Sequence, residues 1–547
     1  MFKKSTIYQV YPKSFKDTND DGQGDIKGII EKLQYLENLG IDYIWLTPIF
    51  TSPQRDNGYD VEDYYKINPQ YGTMKDLEEL IKKAGEKNIK IMLDMVFNHT
   101  STEHRWFKKA LTGEKKYMDY YIFKEPVNNG KPTNWVSKFG GSAWEYVPKL
   151  NKYYLHLFDK TQADLNWENK ELRQEMYNIV NFWIDKGIKG FRFDVVNLLS
   201  KPTIYEDDLE GDGRQFYTDG PNIHKYLKKL SKETFGKYSD IITVGEMSST
   251  TVDNCIKYTN PAEKELNMVF NFHHLKVDYK NGEKWTRDKF RFKELKEIFN
   301  KWQVEMDKSN GWNALFWCNH DQPRAISRFG NDKKYHTLSG KMLAAAIHMM
   351  KGTPYIYQGE EIGMTNAEFN SINQYRDIES LNYYKILKNK GIPEEKIMDI
   401  LKEKSRDNGR TPMQWDSLQY ASFSKAEPWI DICKNYESIN VLKALECKNS
   451  IFYFYKKLIT LRKELDVIAY GDFKMIFRDH SKILAYERNY KDESLIVICN
   501  FYEENIDIVL KGYKNFKVLI SNYEDAKLNE NIRLRPYETI VYYKRTN

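Results

Sequence analysis

Short apolar, β-branched runs alternate with amphipathic stretches of helical period along most of the chain. Three of the amphipathic stretches, 25–40, 73–88 and 171–187, end at Gly or Asn, as helix C-caps often do. We place eight strands at 6–10, 41–46, 89–95, 190–194, 241–245, 268–272, 314–318 and 354–357. This alternation predicts an α/β fold, a (β/α)8 TIM barrel.

Two departures from this alternation predict further parts of the chain. The interval 100–168 is rich in Trp, Tyr, Gly and Pro and is too long for an ordinary loop, so we expect a small inserted subdomain after strand three. From about Gly471, short alternating strands predict a C-terminal antiparallel β-sandwich domain. The predicted domains are the barrel in 1–99 and 169–470, the inserted subdomain in 100–168 and the sandwich in 471–547.

Polar residues stand where the predicted strands, or the segments near them, end. Because equivalent ends of parallel barrel strands meet at one rim, these side chains are expected to converge there, where the chemistry of this architecture sits. The endings are Asp60, Asn98-His99, Asp194, Glu246, His273-His274, His320-Asp321 and Gln358–Glu360.

Composition and charge argue against several classes of function. The net charge of +6 is small for 547 residues and is spread along the chain, so nucleic acid is not an expected partner. No stretch approaches ~20 apolar residues, and the start lacks a signal-peptide core, so no membrane association is expected. Five scattered cysteines, an odd number without metal-ligand spacing, are typical of reduced thiols in a cytoplasmic protein. We expect a monomer without an organic cofactor.

The carboxyl groups of Asp194 and Glu246 fall on neighbouring predicted strands. Glycoside cleavage needs one carboxyl that protonates the leaving oxygen and a second one across the anomeric carbon, ~5–5.5 Å away in retaining enzymes. Barrel strands lie ~4.8 Å apart, which suits that separation. Arg192 is on the same strand face as Asp194 and is expected to keep it ionised by lowering its pKa.

Several motifs carry a family resemblance that spans essentially the whole chain. DMVFNHTS, GFRFDVVN, VGEM, NHDQPR and QADLNWEN closely resemble glycoside hydrolase family 13, the α-amylase family. SRDNGRTPMQWD is similar to the oligo-1,6-glucosidase group of that family. EDDLEGDGRQFYTDGPNIH and MVFNFHHLKVDYKNGEKWT look like the members of that group that act on a phosphorylated disaccharide, α,α-trehalose 6-phosphate.

The resemblance implies roles for the residues at the rim. Asp194 would be the nucleophile, Glu246 the acid/base and Asp321 the third carboxylate, which orients sugar hydroxyls. His99 and His320 would donate hydrogen bonds to the ring being cleaved. Asp60 and Arg410 would grip the non-reducing end and close the pocket at one glucose, with Tyr59 stacked on that ring. Asp94 would be a structural support of the rim.

A phosphate on the substrate needs cationic or N–H donors. The segment after strand six offers His274, Lys276 and Lys284, and the loop after strand four offers Arg214. The cleavage chemistry itself does not require these cations, so we predict that they contact the phosphate. The alternative is a solvated surface, which we favour for Lys280.

The loop DTNDDGQGD alternates oxygen-bearing residues in the manner of the first part of an EF-hand loop. Such alternation suits a structural Ca²⁺, which relatives in the family carry at this loop. The alternative is an Asp/Gly-rich turn without an ion. The expected ligands are Asp17, Asn19, Asp21, the carbonyl of Gln23, and Asp25.

The leading hypothesis is a retaining α-glucosidase that hydrolyses α,α-trehalose 6-phosphate to glucose and glucose 6-phosphate. The first alternative is an oligo-1,6-glucosidase or another neutral exo-α-glucosidase that uses the same carboxylates. A sugar isomerase or transglycosylase also fits the motifs. A non-catalytic relative is disfavoured because Asp194, Glu246 and Asp321 are all present.

Overall fold

Among the described residues, eight parallel strands form one sheet, and the predicted barrel is confirmed. The computed structural model describes residues 2–513 and 515–546. The barrel strands are β1 (Ile7–Val10), β2 (Tyr43–Leu46), β3 (Lys90–Met95), β4 (Gly190–Phe193), β5 (Ile242–Glu246), β6 (Met268–Phe270), β7 (Ala314–Leu315) and β8 (Thr353–Tyr357).

The strand order in this sheet is β6-β5-β4-β3-β2-β1-β8-β7. From β1 to β6, and for β7 and β8, strands that follow one another in sequence are neighbours. Strand β8 pairs in parallel with β1, with Ile7 opposite Tyr355. Strand β4 lies between β3 and β5, with Arg192 opposite Asp94 on one side and Val244 on the other. This register brings the ends of β3, β4 and β5 to one edge of the sheet.

Strand β7 is shorter than predicted, because it ends at Leu315 instead of residue 318. The carbonyl of the next residue, Phe316, accepts a hydrogen bond from Nε2 of His274. The His274 side chain therefore satisfies the Phe316 carbonyl, which in a longer strand would accept a hydrogen bond from the neighbouring strand.

The chain divides into two compact units. The first comprises Met1–Ile44, His273–Tyr375 and Met398–Asn547, and the second comprises Trp45–Phe272 and Arg376–Ile397. The main helices of the first unit are Ile26–Glu31, Leu33–Leu39, Phe292–Lys308, Ala325–Phe329, His336–His348, Val441–Glu446, Ile451–Glu464 and Asp466–Tyr470. Those of the second are Met74–Glu86, Arg105–Leu111, Lys170–Asp185, Ile223–Glu233, Val252–Thr259 and Ile378–Asn389, while Glu394–Lys404 spans the boundary.

Helix ends follow the signals in the sequence. Thr73 and Asp76 form a capping box at the start of Met74–Glu86, which satisfies backbone N–H groups that have no partner within the helix. Gly40 ends the helix Leu33–Leu39 with a φ of 98°, a left-handed conformation that costs glycine little.

A small antiparallel sheet lies within the predicted inserted subdomain. Its central strand, Lys152–Leu155, pairs with Phe123–Lys124 and with Trp144–Val147. Its buried cluster includes Trp135 and Trp144 and extends to Val195 and Leu198. The subdomain therefore packs against the segment that directly follows Asp194.

In the described part of the chain, seven strands follow residue 471. Five form one antiparallel sheet in the order β9 (Lys474–Ile476), β10 (Ile483–Tyr490), β11 (Glu493–Asn500), β15 (Thr539–Arg545) and β13 (Lys517–Ser521). The other two, β12 (Ile506–Val509) and β14 (Asn531–Leu534), pair with each other and share one buried aliphatic cluster with the larger sheet. The predicted C-terminal β-domain is confirmed, although β14 was not predicted.

Among the described residues, none of the helices combines the length and the apolar character that crossing a lipid bilayer requires.

Candidate active site

Arg192 lies at the centre of a buried group of carboxylates in the second unit. Its Nη1 atom lies 2.6 Å from Asp94 and 2.7 Å from Asp194, and its Nη2 atom pairs with Glu246. One planar guanidinium thus contacts the carboxyl groups at the ends of β4 and β5. This is the arrangement expected of two carboxyl groups that act on one glycosidic bond.

The electrostatics of this group follow from burial. Burial opposes the charge on Arg192, but the nearby carboxylates, Asp94 first, raise its pKa overall. Burial raises the pKa of Asp94, against the opposing effect of Arg192. The side chains of Asp194 and Glu246 keep 10% and 12% of their surface exposed, so a substrate can reach both.

The backbone turns sharply after Asp194. The Asp194 N–H donates to the carbonyl of Met95, and Val195 follows with φ 34° and ψ 43°. A β-branched residue in the left-handed region is strained, and such strain is found at functional sites. The turn directs the chain away from the sheet immediately after Asp194.

Asp94 also joins the aromatic residues of the site. It accepts hydrogen bonds from the Tyr59 hydroxyl at 2.9 Å and from the Trp45 indole at 3.2 Å. Tyr59 and Trp45 both face the Arg192 guanidinium, at 5.8 and 5.2 Å from their ring centres. Asp94 therefore has the supporting role that the resemblance implied.

His99 lies in a polar pocket beside Tyr59. Its Nε2 donates to the Tyr59 carbonyl at 3.0 Å, and burial lowers its pKa, so the ring is held neutral. Gln162 lies 3.2 Å from His99 Nε2 and donates to Asp56 at 3.0 Å. The structure brings Asp56 and Gln162 to the predicted His99 and Tyr59.

Sequence reasoning missed these two residues, although signals for both were present. Asp56 belongs to the same DNGYD motif as Asp60, and Gln162 begins the quoted QADLNWEN motif.

Asp60 requires a correction, because its carboxylate is used within its own turn. It accepts hydrogen bonds from the Ser52 hydroxyl and from the backbone N–H groups of Arg55 and Asp56. The side chain is fully buried. The geometry therefore gives Asp60 a structural role, and Asp56 is the carboxylate of this motif that joins the polar pocket.

In the first unit, Asp321 is surrounded by cationic groups. Arg410 donates to Asp321 Oδ1 at 2.9 Å, and Arg406 donates to the same oxygen at 3.1 Å. The predicted role of Arg410, binding the non-reducing end of the substrate, stays a prediction, and its guanidinium also contacts Asp321. Arg406, the first arginine of the SRDNGR motif, was not predicted.

His320 is held in one orientation beside Asp321. The Gln9 amide nitrogen, which can only donate, lies 2.7 Å from His320 Nδ1, so the ring proton is on Nε2. That Nε2 is 3.4 Å from Asp321 Oδ2. Its imidazole can therefore donate a hydrogen bond from Nε2, as the resemblance implied.

The four predicted phosphate contacts have different surroundings. Arg214 is exposed and makes a bidentate ion pair with Asp212. Lys276 and Lys284 are half-buried, and Lys284 lies 4.9 Å from the centre of the Trp285 ring. His274 is buried, burial lowers its pKa to about 3, and its Nε2 is bound to the Phe316 carbonyl. His274 therefore has the surroundings of a core residue, with its Nε2 bonded within the fold.

The loop predicted to bind calcium is tightly turned. Asp17 accepts from the backbone N–H groups of Asn19 and Gly22, and Asn19 Nδ2 donates to Asp21 at 3.1 Å. Asp25 caps the helix Ile26–Glu31 and accepts from Thr18.

Among the described residues, no three His, Cys, Asp or Glu side chains form a cluster that can hold a metal by themselves. A site in this loop therefore needs the amide oxygen of Asn19 and the backbone carbonyl of Gln23. Both carboxylate oxygens of Asp17 already accept two hydrogen bonds within the fold. Carboxylate, amide and carbonyl oxygens are the ligand types that Ca²⁺ prefers, so the ion at this loop stays a prediction.

The fold and the paired carboxyl groups define a barrel glycoside hydrolase, and comparisons with known proteins agree. The α-amylase catalytic-domain family matches residues 9–471, and the C-terminal domain family of the α-amylase SusG matches residues 483–541. The chain therefore belongs to the α-amylase family.

Individual relatives match over nearly their whole length. The chain is 54% identical to a trehalose-6-phosphate hydrolase of Bacillus subtilis, covering 99% of this chain and 98% of the relative. It is 49% identical to an oligo-1,6-glucosidase of Bacillus cereus, covering 99% of both. The crystal structure of Bacillus licheniformis trehalose-6-phosphate hydrolase is similar, with a TM-score of 0.96, 56% identity and full coverage of both chains.

Proposed function

We propose that the protein is a retaining α-glucosidase that hydrolyses α,α-trehalose 6-phosphate to glucose and glucose 6-phosphate. The observation that carries the chemistry is the single guanidinium of Arg192, which contacts both Asp194 and Glu246. The similarity to trehalose-6-phosphate hydrolases of Bacillus subtilis and Escherichia coli, at 54% and 48% identity, supports the substrate.

The reaction has two displacements at one anomeric carbon. In the first, Glu246 gives its proton to the glycosidic oxygen while Asp194 attacks the carbon. The C–O bond breaks, glucose 6-phosphate leaves, and glucose stays as a β-ester on Asp194. In the second, Glu246 takes a proton from water, whose oxygen attacks the same carbon, and glucose leaves with its original α-configuration.

The surrounding residues supply binding and charge stabilisation. His99 and Gln162 donate to the Tyr59 carbonyl and so hold this residue in place. Asp56 offers a carboxylate beside it, and the Tyr59 ring suits the apolar face of a glucose. Asp321, with Arg406 and Arg410, orients sugar hydroxyls as the positive charge develops on the ring. His320 donates a hydrogen bond from Nε2.

Arg214, Lys276 and Lys284 are the proposed phosphate contacts. Each ends in a cationic group on a segment that resembles trehalose-6-phosphate hydrolases and lies outside the shared catalytic motifs. Arg214 must turn part of its guanidinium from Asp212 toward the phosphate, an exchange of one anion for another. The lysines act as point charges.

A neutral oligo-1,6-glucosidase is the second candidate, because the Bacillus cereus enzyme is 49% identical. The experiment that separates the two compares hydrolysis of trehalose 6-phosphate, trehalose and isomaltose by the purified protein, with product NMR. We expect preference for trehalose 6-phosphate and initial release of α-glucose. Preference for isomaltose would establish the second candidate, and an initial β-anomer would exclude a retaining mechanism.

Two further properties belong to this proposal. A structural Ca²⁺ bound by Asp17, Asn19, Asp21, Asp25 and the Gln23 carbonyl would hold the loop after β1 and would supply no catalytic group. A cytoplasmic location and a monomeric state are also proposed. The location is supported by the five cysteines, all of which are free thiols.

A further inference from the structure

Asn197 connects the backbone segments that follow the two catalytic carboxyl groups. It lies in the 3₁₀ helix Val196–Leu198, three residues after Asp194, and its side chain is fully buried. Its Oδ1 accepts from the Ser248 N–H at 2.9 Å, and its Nδ2 donates to the Ser248 carbonyl at 2.8 Å. Ser248 follows Glu246 by two residues. One amide thus joins the turn after Asp194 to the loop after β5.

Asp219 determines which way this amide faces. The Nδ2 atom of Asn197 also donates to Asp219 Oδ1 at 3.2 Å, and the Asp219 N–H donates to the Asn197 carbonyl at 2.9 Å. Both N–H bonds of the amide therefore have acceptors. A flipped amide would turn its oxygen toward the Ser248 carbonyl and the Asp219 carboxylate, which is unfavourable.

Asp219 is itself held by three other side chains. Thr250, Asn254 and Tyr258 donate to its carboxylate at 2.9, 2.8 and 2.7 Å. Thr250 and Asn254 lie in or just after the loop that follows β5, so Asp219 binds that loop from a second side.

Two strained backbone positions show how firmly these hydrogen bonds constrain the loops. Ser249 has a φ of 53° and Asp219 has a φ of 50°, both in the left-handed region. Non-glycine residues there are strained, and they persist only where the surroundings compensate. Ser249 stands between Ser248, bound by Asn197, and Thr250, bound by Asp219.

We propose that Asn197 is a positioning residue that fixes the separation of Asp194 and Glu246, and that Asp219 orients its amide. The inference rests on the glycosidase reaction of the proposed function. Retention needs the two carboxyl groups ~5–5.5 Å apart, and a displacement of ~1 Å costs about 10²-fold in rate. Without the Asn197 amide, the loop that follows Glu246 loses its connection to the turn after Asp194. The rate of proton donation from Glu246 to the leaving group should therefore fall more than the other steps.

The test uses Asn197→Ala and Asn197→Asp on aryl α-glucosides whose leaving groups differ in acidity. We expect kcat/KM to fall by about 10²-fold for poor leaving groups, which need protonation, and by less than about 5-fold for 2,4-dinitrophenyl α-glucoside. Asn197→Asp should be worse than Asn197→Ala, because a new carboxylate would face Asp219 and the Ser248 carbonyl.

Asn68→Ala is the matched control. Asn68 is a buried amide that donates to the Ser52 carbonyl at 3.2 Å and accepts from the Gln70 N–H at 3.1 Å. Its loss should lower the melting temperature without a dependence on the leaving group. If the Asn197 variants lose one common factor on all leaving groups, as a purely structural defect would cause, the positioning role is refuted.

Asp219→Asn keeps the shape of the side chain and is the second variant if Asn197 variants do not fold. This variant should show the same dependence on the leaving group, but a smaller one. If kcat/KM shows no such dependence, Asp219 does not orient the Asn197 amide. The aryl substrates carry no phosphate. One outcome is a protein inactive on trehalose 6-phosphate whose Asn197 variants still show the leaving-group dependence on aryl glucosides. That result would refute trehalose 6-phosphate as the substrate and would support the positioning role of Asn197.

Discussion

At the scale of single residues, the catalytic group is defined by how one positive charge is shared. Arg192 neutralises part of the charge of Asp94, Asp194 and Glu246, all within contact of its guanidinium. Three carboxyl groups around one arginine leave an excess of negative charge when all are ionised. Such an excess opposes the ionisation of all three at once. In the proposed reaction, Glu246 is the acid that donates a proton in the first displacement.

Substitution of the two carboxyl groups separates their roles. Asp194→Asn should abolish turnover with folding intact, because an amide does not form the glycosyl ester. Glu246→Gln should lose about 10²-fold or more on trehalose 6-phosphate but far less on glycosylation by aryl glucosides, which need little protonation. Burst-phase and steady-state kinetics measure both steps. Equal losses on both substrates in the glycosylation step would count against Glu246 as the acid.

The residues that were and were not predicted show what sequence can reveal. Asp194, Glu246 and Asp321 each follow an apolar run, which is why the sequence singles them out. The contact of Asp194 and Glu246 with one arginine could be predicted, because they follow neighbouring strands. The choice between Asp56 and Asp60 could not, because both lie in one short motif. It depends on which carboxylate the Ser52 hydroxyl and nearby N–H groups occupy, and only the folded turn determines that.

At the scale of elements, periodicity predicted the eight barrel strands and most of the C-terminal strands, but not where each one ends. The end of β7 depends on His274, which is distant in sequence from Phe316. The same contact holds His274 in buried surroundings, although the sequence analysis predicted that it contacts the substrate phosphate. Strand β14 (Asn531–Leu534) was missed because its alternation covers only four residues.

The 3₁₀ helix Glu360–Ile362, just after β8, contains a buried acid with a consequence for stability. Burial raises the pKa of Glu360 from 4.5 to about 8, with a hydrogen bond from Tyr455 opposing the shift. The folded state therefore keeps a proton that the unfolded state releases above pH 4.5. Stability from this group is fully present below that pH and is lost as the pH rises toward about 8.

Glu360→Gln should remove this dependence, because an amide mimics the protonated acid. Between pH 5 and pH 8, we expect the melting temperature of the wild type to fall more steeply than that of the variant. The corresponding extra loss of unfolding free energy in the wild type is on the order of a few kcal/mol. Scanning calorimetry across this range measures it. Glu368→Gln, at an exposed position, is the control and should follow the wild type. Parallel curves for wild type and Glu360→Gln would contradict the shift.

The loop between β1 and the helix Ile26–Glu31 provides a second prediction at this scale. Removing Ca²⁺ with a chelator, or the change Asp21→Ala, should lower the melting temperature with little effect on rate at 25 °C. An ion bound only by the folded state stabilises that state, and the loop supplies no catalytic group. Lys27→Ala, just beyond the loop, should keep the chelator response. If the melting temperature is unchanged after chelation and elemental analysis finds no ion, the calcium prediction is wrong.

At the scale of the whole molecule, specificity is separate from catalysis. The chain matches trehalose-6-phosphate hydrolases and oligo-1,6-glucosidases at 54% and 49% identity over almost the same span. Proteins that are similar over nearly their whole length are therefore named for two different kinds of substrate. The difference must arise in segments outside the shared motifs, and the cationic ones are the candidates for recognising a phosphate.

Arg214→Ala and Lys284→Ala should each weaken the use of trehalose 6-phosphate by at least about 10-fold, the scale of a lost charge-assisted hydrogen bond. Hydrolysis of p-nitrophenyl α-glucoside, which has no phosphate, should be nearly unchanged in the same variants. Lys280→Ala, at an exposed position of the same segment as Lys284, is the matched control and should resemble the wild type on both substrates. High salt should reduce the wild-type preference for the phosphorylated sugar, because salt screens part of the attraction. Equal losses on both substrates would assign these residues to the fold or to the shared glucose pocket, and the phosphate contacts would have to be sought elsewhere.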